Sequence, residues 1–245
     1  MPRVLLTRPQ KDSELLAEEV AELGYGGVIE PLLILKPTFE LPPDLTDIQA
    51  IMLTSAHALS FLDRASYSVA GLLHYPCFCV GSSTAAAATK FGFQSVHDAE
   101  GDGLALAARI KASLFPAKGK ILHIAAHALD RSSRDEIVKS GFNILNWTTY
   151  TADTATTLSP MVLRMFREGT LDAILLFSTR TAETLKRLIV QHGLETCCKS
   201  VIALGISDSV AEAAGDFPWR RRIAASLPTE DAVLQRLQDI MSEVS

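Results

Sequence analysis

The sequence predicts an α/β fold: two similar domains, duplicated halves of one design, each a parallel sheet flanked by helices. Three observations carry this reading. Apolar stretches of strand length alternate with stretches of helical period along the chain, and that alternation implies mostly parallel sheets. The segment Phe78-Cys79-Val80-Gly81-Ser82-Ser83-Thr84-Ala85 reads as a strand end, a tight glycine turn and the hydroxyl-rich start of an alanine-rich helix closed by Gly92. The segment Ala203-Leu204-Gly205-Ile206-Ser207-Asp208-Ser209-Val210-Ala211 repeats it, closed by Gly215. Finally, three landmarks recur in the same order: Gly24 corresponds to Gly141, Ser55 to Ser178 and Gly81 to Gly205.

Taken in order, residues 3–7 form an apolar strand turned by Arg8 and Pro9. Residues 13–23 form a helix with Leu15, Leu16, Val20 and Leu23 on one face and Gly24 at its end. Residues 28–35 are a second strand run, interrupted by Pro31, and the prolines of 36–43 mark a linker. A buried strand at 48–54 leads through Ser55-Ala56-His57-Ala58 into a helix ending near Arg64. After the Gly81 element come a loop at 99–103, a helix at 104–114 and a strand at 121–124. A loop with Arg131, Ser132, Ser133 and Arg134 follows, then a helix ending at Gly141 and a strand at 143–150. The strand at 172–177, the Ser178 turn and the helix to Val190 mirror 47–62, and 201–215 mirrors the Gly81 element. Trp219-Arg220-Arg221-Arg222 reads as a solvated basic loop. Thr229 or a neighbour caps a last amphipathic helix at 231–243. On the repeat alone, the domain boundary falls near residues 116–119.

Composition narrows the function. Hydrophobic content is 48% and charged content 21%, as in an ordinary globular protein, and the 245 residues suffice for one large or two medium cores. A net charge of −5 argues against a nucleic-acid binder held by a broad basic surface, while leaving room for a local pocket that takes an anion. No apolar run approaches bilayer-spanning length, and Met1-Pro2-Arg3-Val4-Leu5-Leu6 enters a strand with no signal-peptide pattern, so a cytoplasmic protein without a membrane partner is expected. Cys77, Cys79, Cys197 and Cys198 lack structural-zinc spacing and read as buried thiols.

The chemistry of the turns points to an anion. A helix start leaves backbone N–H groups without intrahelical partners, and such a turn can cradle a carboxylate or phosphate. Ser55, Ser83, Thr84, Ser178, Ser207 and Asp208 all sit at strand-to-helix turns, where capping is the minimum role and ligand binding is compatible with it. Neither Gly-x-Gly-x-x-Gly nor Gly-Lys-Ser occurs, so no phosphate-bearing cofactor is expected. His123 and His127 have the i, i+4 spacing of a helical metal pair, but His123 falls in a strand and no third ligand is evident. His57 follows Ser55 without an identifiable carboxylate partner, so a nucleophilic triad is unsupported. Arg131, Arg134 and Arg180 lie in ligand-side loops and are weaker candidates. The residues alone admit two readings: a cofactor-free enzyme, or a non-catalytic two-domain binding protein for an anionic small molecule.

The ordered set Thr7-Arg8-Pro9, Leu53-Thr54-Ser55-Ala56, Val80-Gly81-Ser82-Ser83-Thr84-Ala85, Thr149-Tyr150, Phe177-Ser178 and Gly205, closed by Ala225-Ser226-Leu227-Pro228-Thr229, resembles uroporphyrinogen-III synthase from end to end. The resemblance implies a discontinuous domain of residues 1–35 and 150–245, an inserted domain of 38–148, and a cleft between them. Two strand-like linkers near Lys36-Pro37 and Thr149-Tyr150 would join the domains. It implies a lyase that converts hydroxymethylbilane, a linear tetrapyrrole with eight carboxylates, to uroporphyrinogen III with inversion of the last ring, without metal or organic cofactor. It implies Tyr150 as the proton donor to the leaving hydroxyl. Thr7 and Arg8, with the turn residues Ser55, Ser83, Thr84, Ser178, Ser207 and Asp208, would be the substrate-binding set; Asp208 stands where the family usually carries threonine. The expected partner is that small molecule, with the preceding pathway enzyme as a further candidate and the protein itself a monomer.

Overall fold

The structure is a computed structural model that describes residues 1–64, 70–126 and 131–244, without the side chains at 63, 64, 131, 132 and 244. The chain opens with β1 (Arg3–Leu6), α1 (Gln10–Glu22), β2 (Gly26–Ile29) and β3 (Leu33–Pro37). Next come β4 (Ile48–Leu53), α2 (His57–Arg64), β5 (Cys77–Cys79), α3 (Ser82–Phe91), β6 (Val96–Asp98), α4 (Gly103–Ser113), β7 (Lys120–Ala125), α5 (Arg131–Lys139) and β8 (Ile144–Thr148). The rest is β9 (Tyr150–Thr154), α6 (Pro160–Glu168), β10 (Ala173–Leu176), α7 (Thr179–Gln191), β11 (Ile202–Gly205), α8 (Asp208–Ala213), β12 (Arg221–Ala224) and α9 (Glu230–Val244). The chain divides into two compact units, one of Met1–Ile34 with Asp153–Ser245 and the other of Leu35–Ala152.

The local chemistry explains these bounds, and it corrects several expected from the sequence. α1 begins at Gln10 rather than 13, because Pro9 stands at its N-cap with φ already set and accepts the Ser13 N–H. Leu16 and Val20 are buried along it, but Leu15 faces solvent. The strand run expected at 28–35 is two strands, since Pro31 offers no N–H to a ladder, and β3 pairs with β9 instead of extending β2. The run at 143–150 likewise ends at Thr148, with Tyr150 opening β9. The basic stretch read as a solvated loop contains the edge strand β12: Arg221 and Arg222 reach Glu243 and Asp216, and charge on an edge discourages further strand pairing. β6 and α6 match no element singled out in the sequence. α6 is nonetheless well specified, with Ser159 accepting the Val162 N–H, Pro160 in its first turn and Gly169 ending it in the left-handed conformation.

Both sheets are parallel and share one spatial order. One unit runs β12-β11-β10-β1-β2 and the other β6-β5-β4-β7-β8. Aligning Ser178 with Ser55 and Gly205 with Gly81 places β10, β11 and β12 on β4, β5 and β6, and β1 and β2 then fall on β7 and β8. The halves are therefore circular permutations: β1-α1-β2 takes from the start of the chain the place that β7-α5-β8 takes after β6. The strand progression reverses between β1 and β10 in one unit and between β4 and β7 in the other. The carboxyl ends at such a reversal are where open α/β sheets hold ligands.

Each sheet is buried on both faces, as parallel sheets require. In the first unit α1 and α9 cover Val4, Leu6, Leu175 and Leu204, while α6 and α7 cover Leu5, Ile174 and Leu176. In the second, α4 and α5 cover Ala50, Met52, Phe78 and Ile121, while α2 and α3 cover Ile51, Leu53, Leu122 and Ile124. Among the described residues no helix is long and apolar enough to cross a membrane.

Candidate functional site

In the unit of residues 35–152, the polar groups gather at the carboxyl end of β4. Tyr150 is 4% exposed, its ring stacked on Phe61 with centroids 5.0 Å apart and an interplanar angle of 9°. The His57 ring meets it edge-on at 6.4 Å. Burial pushes the Tyr150 phenol above its ordinary pKa, and a hydrogen bond from Ser55 acts in the opposite direction. Ser55 occupies the turn after β4, where its Oγ also accepts the His57 N–H at 3.3 Å. The preceding residue, Thr54, meets His123 Nε2 at 3.1 Å. Beside Tyr150, the Thr149 hydroxyl is buried and has no hydrogen-bond partner among the described residues.

On the neighbouring strand β5, Gly81 is the N-cap of α3 and supplies no side chain to close the first turn. The hydroxyls that read as caps lie inside the helix: Ser83 is exposed on its first turn, whereas Thr84 is turned into the core. The three therefore differ in what they offer a ligand. Ser55 already accepts from His57, Ser83 is open to solvent, and Thr84 is buried.

In the other unit, the carboxyl ends of β1, β10 and β11 stand side by side. Thr7 is fully buried, and its hydroxyl donates to the Leu175 carbonyl at 2.7 Å, fastening β1 to β10 at the strand reversal. Arg8 next to it pairs with Asp12 at 3.0 Å and with Glu230 at the start of α9, and its guanidinium lies over the Phe177 ring at 5.0 Å. Burial holds the Glu230 carboxyl above its ordinary pKa despite the attraction of Arg8. Ser178 caps α7 by accepting the Thr181 N–H at 3.1 Å. Ser207 is the N-cap of α8, but its Oγ meets Ser209 Oγ at 3.0 Å rather than a helical N–H. Asp208 is exposed in the first turn, where a carboxylate suits the helix dipole. Gly205 is needed because α8 folds directly over it: a Cβ there would stand 2.6 Å from Ala211 N and 2.9 Å from Ser207 O.

The structure thus groups Tyr150 with Ser55, and Thr7 and Arg8 with Ser178, Ser207 and Asp208, each set at the carboxyl ends of one sheet. Sequence reasoning passed over Glu230, which occupies Arg8, and Thr54 with His123. No local pattern signals either, since the partners lie on separate strands and helices. Both His123 ring nitrogens are engaged within the sheet, and His127 falls outside the described residues. Among the described residues no three His, Cys, Asp or Glu side chains stand close enough to hold a metal ion. Cys77 and Cys79 are buried with sulfurs 3.8 Å apart, and burial pushes the Cys198 thiol up to about 12.

The sequence model described as uroporphyrinogen-III synthase HemD matches residues 14–235. No protein of curated function matched by sequence. Among solved structures, the uroporphyrinogen-III synthetase of Helicobacter pylori superposes with a TM-score of 0.66 at 15% identity, covering 98% of this chain and 100% of that one. A mutant uroporphyrinogen III synthase from the extremely thermophilic bacterium Thermus thermophilus gives 0.60 at 15% identity, covering 100% and 99%. These likenesses establish a shared fold, and the sequence match, which spans most of the length, establishes kinship: the chain belongs to the uroporphyrinogen-III synthase family.

Proposed function

We propose that this chain closes hydroxymethylbilane into uroporphyrinogen III, inverting the last pyrrole ring with loss of water. The family match over residues 14–235 carries the reading. The chemistry needs no redox step. A proton reaches the terminal hydroxyl, the C–O bond breaks, water departs, and loss of that ring's N–H proton leaves a neutral azafulvene. The substituted carbon of the last ring attacks the freed methylene, giving a spiro intermediate that opens and recloses with that ring reversed. The protein's task is to supply one proton and to fold the chain so that inverted closure outruns simple closure, which is mainly positioning.

Tyr150 is the proton donor in this reading. Its buried phenol stays protonated at neutral pH, and the Phe61 stack and the edge-on His57 ring fix its direction. The substrate's carboxylates are taken by the strand-end turns, with Ser83, Ser178 and Ser207 offering hydroxyls and first-turn N–H groups. Arg8 forks onto one carboxylate after releasing Glu230. Thr7, its hydroxyl committed to Leu175, serves by holding the strand end that carries Arg8. Because the bilane also closes without catalysis, the enzyme that produces it is the protein partner we propose.

The test is to supply enzymatically generated hydroxymethylbilane and to separate the oxidised products by isomer. Predominant isomer III is expected. Isomer I at the uncatalysed rate, with tight product binding, would instead mark a binding protein.

A further inference from the structure

One polar cluster, built around a buried histidine, has no part in that mechanism. Residues 121–125 of β7 are all buried and all apolar but His123, which is 1% exposed. His123 Nδ1 lies 3.2 Å from Asn146 Oδ1 on β8, and Nε2 lies 3.1 Å from Thr54 Oγ1 at the end of β4. A carboxamide oxygen only accepts, so Nδ1 carries the proton, Nε2 is bare, and the Thr54 hydroxyl donates to it. The imidazole therefore joins three adjacent strands and ties β4 to β7 where the strand order reverses.

The sister sheet carries apolar side chains at the two corresponding positions. Leu6 pairs in register with Leu175, and His123 with Met52. Aligning Ser178 on Ser55 then puts Leu6 in the place of His123 and Phe177 in the place of Thr54, and both belong to one apolar cluster. The sheet can evidently be made with leucine there. Burying an imidazole costs free energy unless each nitrogen is paired, so its presence needs another reason. What it adds over leucine is a directional hold on Thr54. Met52, opposite His123, belongs to the cluster under α4 and α5, whereas Tyr150 belongs to the cluster on the other face. Thr54-Ser55 passes from one face to the other, with Thr54 bonded to His123 and the Ser55 hydroxyl accepting the N–H of His57, whose ring meets Tyr150 edge-on.

We propose that His123 is a positioning residue for Tyr150: oriented by Asn146, it pins Thr54, and so holds the Thr54-Ser55 turn that anchors the His57 ring edge-on against the phenol. This rests on the reading of Tyr150 as proton donor.

The experiment compares kcat and KM of H123L, T54V, Y150F and Y150F/H123L in the full chain, and reads the His123 tautomer of the unaltered protein by 15N NMR. The spectrum should show the Nδ1-H tautomer. H123L and T54V should each lower kcat about tenfold with KM changed by less than about twofold, while H123Q, whose amide can accept from Thr54 and donate to Asn146, recovers part of the loss. In the Y150F background H123L should cost nothing further, because the residue acts through the phenol. Should H123L fail to fold, T54V removes only the hydroxyl and carries the same comparison with T54V/Y150F. Full kcat in T54V and H123L beside a crippled Y150F overturns this inference and leaves Tyr150 in place. Full kcat in Y150F overturns both. Additive losses in the double variant, or an Nε2-H tautomer, assign His123 to general stability and overturn the inference alone.

Discussion

Arg8 carries two carboxylate partners, and this decides how it can serve a polyanionic substrate. Asp12 is local, one helical turn on, whereas Glu230 arrives from the far end of the chain. If Arg8 takes a substrate carboxylate, as proposed, that carboxylate must displace Glu230, so Arg8→Ala should raise KM several-fold and Glu230→Gln should lower it, with kcat little changed in either; steady-state kinetics on the bilane would show both. The stability effect has a definite sign. Glu230's folded pKa is raised, so the stability it contributes is present below its ordinary value of about 4.5 and lost as pH rises through the folded value. At neutral pH Glu230→Gln should therefore cost little, and a fall in melting temperature beyond a few degrees would contradict this account.

Tyr150 is the other residue whose environment sets its chemistry. A phenol raised by burial remains a donor across the physiological range, and Tyr150→Phe should reduce kcat by about 10²-fold, the lower end of acid–base effects, with product affinity nearly intact. The activity of the unaltered protein should show no loss from this group until the pH exceeds about 10, the ordinary tyrosine value. A decline centred near pH 8 would point to a different acid.

At the scale of elements, the turn between β11 and α8 is the most tightly drawn. Gly205→Ala would drive a Cβ into the Ala211 backbone, and a loss of about 1–3 kcal/mol is expected, read from the denaturant midpoint. Strand β7 makes a second prediction. Burial lowers the His123 pKa, outweighing the Asn146 hydrogen bond, so the stability of the neutral form is present above the ordinary histidine value of about 6.5 and lost as pH falls below it. Melting temperature should drop between pH 7 and 5, and H123L should flatten that slope. The elements also show why some bounds were hidden in the sequence. Pro31 marks a break in a strand run, but not that the second half pairs with β9. Arg221 and Arg222 look like loop residues until the edge position of β12 gives them somewhere to point.

For the whole molecule, the permuted topology has a consequence for folding. The unit Leu35–Ala152 contains all five strands of its sheet and the helices on both faces, so a fragment of residues 35–152 should fold alone, with dispersed NMR signals and a cooperative melt. A fragment of 153–245 lacks β1, which lies between β10 and β2, and should not. The chain by itself determined the alternation of strands and helices, the two glycine turns and the ordered motifs that identify the family, because all are written in short-range pattern: periodicity, caps and turn residues. The tertiary structure alone decided that Thr7 is spent on Leu175, that Glu230 holds Arg8, and that His123 reaches Thr54. Those are contacts between residues far apart in sequence, and strand order, not local propensity, brings them within hydrogen-bonding distance.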